Sequence, residues 1–461
     1  MFSLKTYSER RKKITRQFDD GILFFMGNNE SSMNYADNTY HFRQDSSFLY
    51  FFGLDLPNLA AFIDCHSGTE YIIGDDLTMD MIVWMGTHPK IKTQAEKVGV
   101  KKVLSWKEAE DYFQNVKSKK IRILPQYRAD NLIKISKLFQ TSIDEVKNNV
   151  SVSFIKAVAN LRNYKSKEEI EEINKAVSIS ADMHIAAMKF AKPGMKEYEV
   201  AAKIMEVAKS NNASLSFPII CTVNGQTLHN HYHGNELKTG QMLLIDAGAE
   251  TAMHYAGDLS HTFPVDKKFT EQQKLIYQIA LDAHNEAVNK LTPGVKMLDV
   301  HFAACRKIAE GLKNIGLMKG NLEEAVNLGA HALFFPCGTG HMMGLDVHDM
   351  ENFGEQYVGY TDQLKKEKNL FGLKSLRLGR ELEPGFVLTI EPGIYFIPEL
   401  INMWKAENKF SDFINYSEVE KFKDFSGCRS EEDFLITESG HRLLGKEVPK
   451  EINLVEAMRA E

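Results

Sequence analysis

The chain has 461 residues, 43% hydrophobic and 26% charged, with a formal net charge of −6 at pH 7. This length fits two or three domains and a large core, and mild acidity without a Lys/Arg block argues against nucleic acid or an anionic membrane as the main partner. No run approaches the roughly 18–20 apolar residues of a membrane span, and the five scattered cysteines (Cys65, Cys221, Cys305, Cys337, Cys428) form no CxxC pair, as in a reducing compartment.

The opening MFSLKTYSERRKKITRQFDD is charged throughout. No secretory signal is expected there, and the cytoplasm is the expected location. Residues 1–160 read as a mixed α/β domain. The apolar runs GILFFMG, LAAFID, EYIIG, MIVWMG, KKVL and KIRIL suggest short strands of a covered sheet, alternating with helical spacing over Tyr7–Phe18 and Asn131–Phe139. A second domain is placed at 161–461. Near Tyr164, Ser166 and Glu169 fit a capping box at the head of a helix. Pro193-Gly194 stops that helix, and a second is expected from Glu197 to Ser210. Thr270 and Gln273 form another capping box, and the helix it opens ends at Thr292-Pro293-Gly294, ahead of a further helix. PGMKEYEV (193–200) and PGVKMLDV (293–300) share the pattern PGxKxx[ED]V between paired helices, which predicts an internal duplication with a cleft between two α/β halves.

Carboxylates and histidines recur beside the apolar runs of this second domain. LLIDAGAETAMHYAGDLSHTFPV reads as a buried hairpin carrying Asp246 and Asp258. A lone buried carboxylate costs several kcal/mol or more, on the order of a large share of a domain's stability. His341 lies in FFPCGTGHMMGLDVHD, Glu391 in FVLTIEPGIY, Glu431 and Glu432 in GCRSEEDFLIT, and His229 and His231 in NGQTLHNHYHGN. Taken singly, each is ordinary: a cap, a turn or a surface histidine. Two Asp, two Glu and one His near apolar strands form a hard, oxygen-rich ligand set, suited to divalent ions such as Mn²⁺, with the imidazole admitting Co²⁺ or Zn²⁺. Two divalent cations would balance four carboxylates. Such a pair can share a water or hydroxide and lower its pKa toward neutrality, which makes a nucleophile for hydrolysis.

These motifs identify the chain as resembling the pita-bread metallopeptidases, and within them the aminopeptidase P (Xaa-Pro aminopeptidase) group. NTYHFRQDSSFLYFFGLDLPNLAAFID (38–64) is similar to the N-terminal signature of that group, and IDAG…YAGD, GTGHMMGLDVHD, TIEPGIY and RSEEDFLIT follow in the family's order. The resemblance implies an α/β (α+β) protein: a creatinase/aminopeptidase P-type N-terminal domain, then a pseudo-two-fold pita-bread catalytic domain. It implies that Asp246 chelates one metal, Asp258 and Glu431 bridge two, and His341 and Glu391 hold the other. It further implies His229 and His348 on the substrate side, with His231 the alternative to His229, and Arg429 orienting a ligand carboxylate; Glu432 is then a neighbour of the site. The expected cofactor is two divalent ions, Mn²⁺ first and Zn²⁺ or Co²⁺ after it.

The implied reaction removes the N-terminal residue from peptides with proline in second position, by attack of a metal-bridging hydroxide. His348 steadies the oxyanion and Glu391 manages the proton. A prolidase, which cuts Xaa-Pro dipeptides, is the nearest alternative. Methionine aminopeptidases need no such first domain, creatinase-like hydrolases lack this ligand set, and metal-free pita-bread binding modules have lost it. A homo-oligomer, dimer or tetramer, is expected, because the first domain in this group often helps close a neighbour's active site. Three departures from the family pattern stand out: one extra residue between Asp246 and Asp258, a long insert between Glu391 and Glu431 expected at the cleft rim, and DQLKKEKNLFGLKSLRLGR (362–380), expected as a solvated loop.

Overall fold

A computed structural model describes residues 1–116 and 119–461. The chain forms two compact units, Met1–Arg162 with Met350–Val358, and Asn163–Asp349 with Gly359–Glu461. The return of 350–358 to the first unit has no marker in the sequence.

The first unit is built on a five-stranded sheet of order β4-β3-β2-β1-β5. Its strands are β1 (Ile22–Met26), β2 (Ala60–Asp64), β3 (Thr69–Ile73), β4 (Lys102–Leu104) and β5 (Ile121–Ile123). β1, β2 and β3 form an antiparallel meander, while β4 and β5 pair in parallel at its edges. Every residue of β1 and β2 is buried. Burial on both faces explains why these strands read as continuous apolar runs without alternation. Phe24, Phe62, Phe113 and Phe139 pack over the sheet with ring centroids 4.9 to 5.9 Å apart.

The run MIVWMG is not a strand. Met79–Met85 is a helix, capped by the Thr78 hydroxyl accepting from the Met81 N–H and closed at Gly86. None of its residues is buried, and Trp84 is 87% exposed. A short apolar run has the same signature in helix and strand, and here the cap decides between them.

The second unit consists of two halves of like design. The first half has helices Lys167–Phe190 and Glu197–Ser210, a sheet of order β10-β8-β7, and a short pair β6 (Ser214–Leu215) with β9 (Ala249–Glu250). Here β7 is Ile220–Thr222, β8 Met242–Ala247 and β10 Leu259–Pro264. The second half has helices Glu271–Asn289 and Met297–Asn314, with β11 (Val387–Ile390), β14 (Glu432–Ile436) and β15 (His441–Leu443) in one sheet and β12 (Gly393–Tyr395) paired with β13 (Gly427–Arg429). Both capping boxes form, Ser166 with Glu169 and Thr270 with Gln273.

The repeated octapeptides make the same bonds in both halves. Gly194 donates to Leu237 O at 2.8 Å and Leu237 donates back to Met195 O; Gly294 donates to Leu382 O at 2.9 Å and Leu382 back to Val295 O. Both glycines sit at positive φ, 89° and 85°, where a side chain would be strained. Leu237 and Leu382 are therefore equivalent positions. Asp246 lies nine residues beyond the first and Glu391 nine beyond the second. The duplication thus places one carboxylate at the end of each equivalent strand.

Both loop expectations need correction. Among the described residues, the inserted segment 396–426 contributes none to the cavity described below. It forms the helices Pro398–Ala406 and Tyr416–Val419, buries Ile401, Trp404, Ile414 and Val419, and bonds to the end of helix Met297–Asn314 through Asn415 N to Leu317 O. Its aromatic and aliphatic residues are the reason: they have a core of their own to fill. Residues 362–370 are largely exposed or half-buried as expected, but Leu376 and Leu378 are fully buried and Arg377 reaches the cavity. Among the described residues no helix is long and apolar enough to cross a membrane.

Candidate metal centre

A cavity of about 300 Å³ opens in the second unit, and His229, Asp246, Asp258, His341, His348, Glu391, Arg429 and Glu431 all line it. Residues far apart in sequence meet because the two hairpins end together. β8 pairs β10 with Asp246 opposite Ser260, and Ser260 in turn bridges to Glu431, at the head of β14.

Each ligand candidate is held from behind. Asp258, just ahead of β10, donates its N–H to Asp433 Oδ2 at 3.0 Å. Glu431 accepts from Ser260 Oγ at 2.7 Å. Arg429 fans out to Asp246 Oδ2 at 2.5 Å, Ser260 Oγ at 2.8 Å and the Tyr395 hydroxyl at 2.8 Å. His341 Nδ1 lies 3.1 Å from Met342 O, which fits Nδ1–H as the donor and turns Nε2 toward Asp258 Oδ2 at 3.4 Å and Glu391 Oε1 at 3.6 Å. Gly340, next to His341, packs so close to β11 that a Cβ there would lie 2.0 Å from Thr389 O. Glycine is needed to bring the histidine this near.

Asp258, His341 and Glu431 each offer a ligand atom, all within 4.8 Å of one another. Asp246 Oδ1 is buried without a hydrogen-bond partner. Burial, reinforced by Asp246, pushes the Asp258 carboxyl well above the usual range. Burial together with the charges of Asp258, Glu391 and Asp246 does the same to Glu431, and burial raises Glu391 against the pull of His341. Carboxylates that repel one another in a desolvated pocket, beside an unpaired buried oxygen and an imidazole nitrogen, fit divalent cations: the cations supply the missing counter-charge.

The histidines follow from the duplication. Ile220 is opposite Asp246 across β7 and β8, and Glu391 donates to Thr339 O at 2.8 Å in the other half. His229 lies nine residues beyond Ile220 and His348 nine beyond Thr339. His229 and His348 are therefore equivalent positions, and His231 has no such mate. His231 also lines the cavity, so both candidates are within its reach. The His348 ring meets that of His341 edge-on at 4.4 Å. His229 is exposed at residue level, and partial desolvation of its ring lowers its pKa while Asp246 opposes.

Glu432 points elsewhere: it pairs with Lys450 and lies 3.5 Å from His284 Nε2. Alternation along the strand separates it from Glu431. The same alternation puts Asp433 on the Glu431 side, a signal in RSEED that the sequence reading passed over. Asp433 is fully buried, and burial raises its carboxyl well above the usual range. Ser260, Tyr395 and Arg377 also had no local signal.

A family profile described as metallopeptidase family M24 matches residues 171–438, and one described as aminopeptidase P, N-terminal domain, matches residues 7–124. The chain is 31% identical over 465 residues to the Xaa-Pro dipeptidase of Homo sapiens, covering 98% of this chain and 91% of the relative. It is 29% identical over 473 residues to the Xaa-Pro aminopeptidase of Escherichia coli strain K12, covering 99% and 98%. A solved structure of zinc-substituted E. coli aminopeptidase P in complex with product superposes with a TM-score of 0.82 at 27% identity, covering 100% of this chain and 98% of that one.

Proposed function

The chain belongs to metallopeptidase family M24, and from that premise we propose that it is a dinuclear-metal Xaa-Pro aminopeptidase, which removes the N-terminal residue ahead of a proline. The observation that carries this reading is the convergence of Asp246, Asp258, His341, Glu391 and Glu431 on one cavity, with the carboxyls of Asp258, Glu391 and Glu431 raised by burial and by one another's charges. Asp246, Asp258 and Glu431 would hold one metal, and His341, Glu391, Asp258 and Glu431 the other. Manganese is the preferred ion on ligand hardness, ahead of zinc or cobalt. Bound there, such a pair supplies Lewis acidity and a nucleophile derived from water.

The remaining steps belong to the chain. Arg429 fixes one oxygen of the Asp246 carboxylate and leaves the other without a hydrogen-bond partner, free to ligate. His348 donates a hydrogen bond to the scissile carbonyl as it becomes an oxyanion. Glu391, held by its backbone N–H on Thr339 O, takes a proton and returns it to the leaving proline nitrogen. That nitrogen carries no N–H in the substrate, so it must gain a proton to leave. His229 also lines the cavity and orients the peptide.

Arg377 favours a second reading. A guanidinium in the cavity wall complements a peptide's terminal carboxylate, which only a dipeptide brings this close to the metals, as a prolidase requires. Metal-stripped protein reloaded with Mn²⁺ should be assayed on an Xaa-Pro-Xaa tripeptide and the matching Xaa-Pro dipeptide. Tripeptide cleavage before proline supports the aminopeptidase; cleavage of the dipeptide alone replaces it with a prolidase. The free cysteines fit the cytoplasm, and the exposed apolar helix Met79–Met85 fits a homo-oligomer, which light scattering would measure.

A further inference from the structure

A second cluster of ligating side chains lies behind the cavity wall and takes no part in the chemistry above. His301 and Cys305 are one turn apart on helix Met297–Asn314, and His331 is on the 3₁₀ turn Ala330–Leu333. All three are buried, and one donor atom from each lies within 4.8 Å of the others. Each imidazole is fixed from its far side. His301 Nδ1 is 2.8 Å from Thr339 Oγ1, which turns Nε2 toward Cys305 Sγ at 3.4 Å. His331 bonds to the Val326 backbone, while its Nδ1 is buried without a partner. One ring nitrogen anchored and the other facing a shared donor cluster is the arrangement of a metal-ligating histidine.

A plain S–H···N hydrogen bond would account for Cys305 and His301, but it leaves His331 Nδ1 unsatisfied in the core, at a cost of about 1–3 kcal/mol. A cation accounts for all three groups. Burial holds the His301 and His331 pKa values down at about 3 and about 4, so both rings are neutral and have a lone pair to give.

We propose that His301, Cys305 and His331 form a separate, buried three-ligand metal site for one borderline-soft divalent cation of the zinc class. Two imidazoles and a thiolate select zinc over manganese, the reverse of the carboxylate centre. Binding breaks the Cys305 S–H bond, forms a sulfur–metal bond and releases the proton to solvent. The site has a structural consequence at the catalytic centre. Thr339 joins the two: its hydroxyl holds His301, and its carbonyl accepts the Glu391 N–H. A cation on His301 therefore stiffens the segment on which Glu391 hangs.

The test is optical. The full-length chain, stripped with chelator, is titrated with Co²⁺ and followed in the near ultraviolet for a thiolate-to-cobalt charge-transfer band. One thiol, Cys337, lines the carboxylate cavity, so the band must also persist in Cys337→Ser to belong to Cys305. The band should saturate at one cobalt per chain, bleach with Zn²⁺ but not Mn²⁺, and disappear in Cys305→Ser and in His331→Gln. It should persist in Asp258→Asn, so loss of the peptidase centre and loss of this site are read separately. If Cys305→Ser does not fold, His331→Gln carries the same test. A folded, cobalt-saturated chain without the band overturns the proposal, as does a band that survives either substitution.

Discussion

Replacing Arg429 tests the logic of the centre without touching a proposed metal ligand. Its side chain is 5% exposed and bonds to Asp246, Ser260 and Tyr395 at once. Arg429→Met leaves the largely enclosed Asp246 carboxylate (13% exposed) with one oxygen already unpartnered and the other now stripped. Breaking a fully buried ion pair from one side costs about 3–5 kcal/mol, and this partly exposed pair falls at the low end; Ser260 keeps its bond to Glu431, while the Tyr395 hydroxyl adds about 1–3 kcal/mol where it finds no new partner. Arg429→Lys keeps the charge but loses the fork. A single ammonium cannot span a carboxylate and two hydroxyls, so a loss of about 2–3 kcal/mol is expected from the bonds to a charged group that go unmade. Urea unfolding of the metal-free chain should order the variants wild type, Lys, Met. Isothermal titration should show metal affinity in Arg429→Lys down about 10–100-fold, the usual effect of disturbing a ligand's own hydrogen-bond partner. A Lys variant matching wild type in both measurements would refute the reasoning that geometry, beyond charge, holds Asp246.

His348→Ala should lower kcat about 10²–10³-fold with metal content unchanged, as loss of one oxyanion donor does; metal analysis beside steady-state kinetics separates this from ligand loss. Gly340→Ala should destabilise by about 1–3 kcal/mol, because the new methyl meets the Thr389 carbonyl, and metal affinity should fall with it as His341 is displaced. The raised carboxyls of Asp258 and Glu431 mean that metal loading expels protons, so calorimetric enthalpies should vary with buffer ionisation enthalpy. The buried histidines are shifted the other way. Burial lowers His284 to about 3 and His261 well below the usual range; a folded pKa below the unfolded value of about 6.5 makes the unfolded chain bind more protons. Stability is then intact above that value and falls as pH drops through the window, which thermal melts between pH 7 and 4 would register.

The site was more legible than the paths that build it. Asp246, Asp258, His341, Glu391 and Glu431 stand beside apolar strands, where a carboxylate or imidazole contradicts its surroundings, and local sequence displays that contradiction. The octapeptide repeat was legible for a similar reason: Pro-Gly between two helices has a fixed turn geometry. What supports the ligands is not local. Ser260 serves both Arg429 and Glu431 only because the two hairpins end side by side, and no spacing along the chain reveals that meeting. Asp433 was readable in principle from strand alternation but was hidden by two adjacent glutamates. MIVWMG misled because an apolar run of that length carries no period, and the surface it exposes is decided by what packs nearby. The insert misled in the other direction: long and partly charged, it looked like a rim, yet Trp404 and Ile401 give it a core. Between His229 and His231, both in the cavity wall, the duplication read through the hydrogen-bond register gives His229 a counterpart in His348, which the motif alone does not display.

The proposal rests on a metal-dependent hydrolase in which these five residues are the ligands. Chelator-stripped wild type and Asp258→Ala should be assayed on an Xaa-Pro-Xaa peptide before and after addition of Mn²⁺. The expected result is no turnover in either stripped protein, restored turnover in wild type, and a deficit of orders of magnitude in Asp258→Ala. Full activity in Asp258→Ala, or in the stripped wild type, would contradict it.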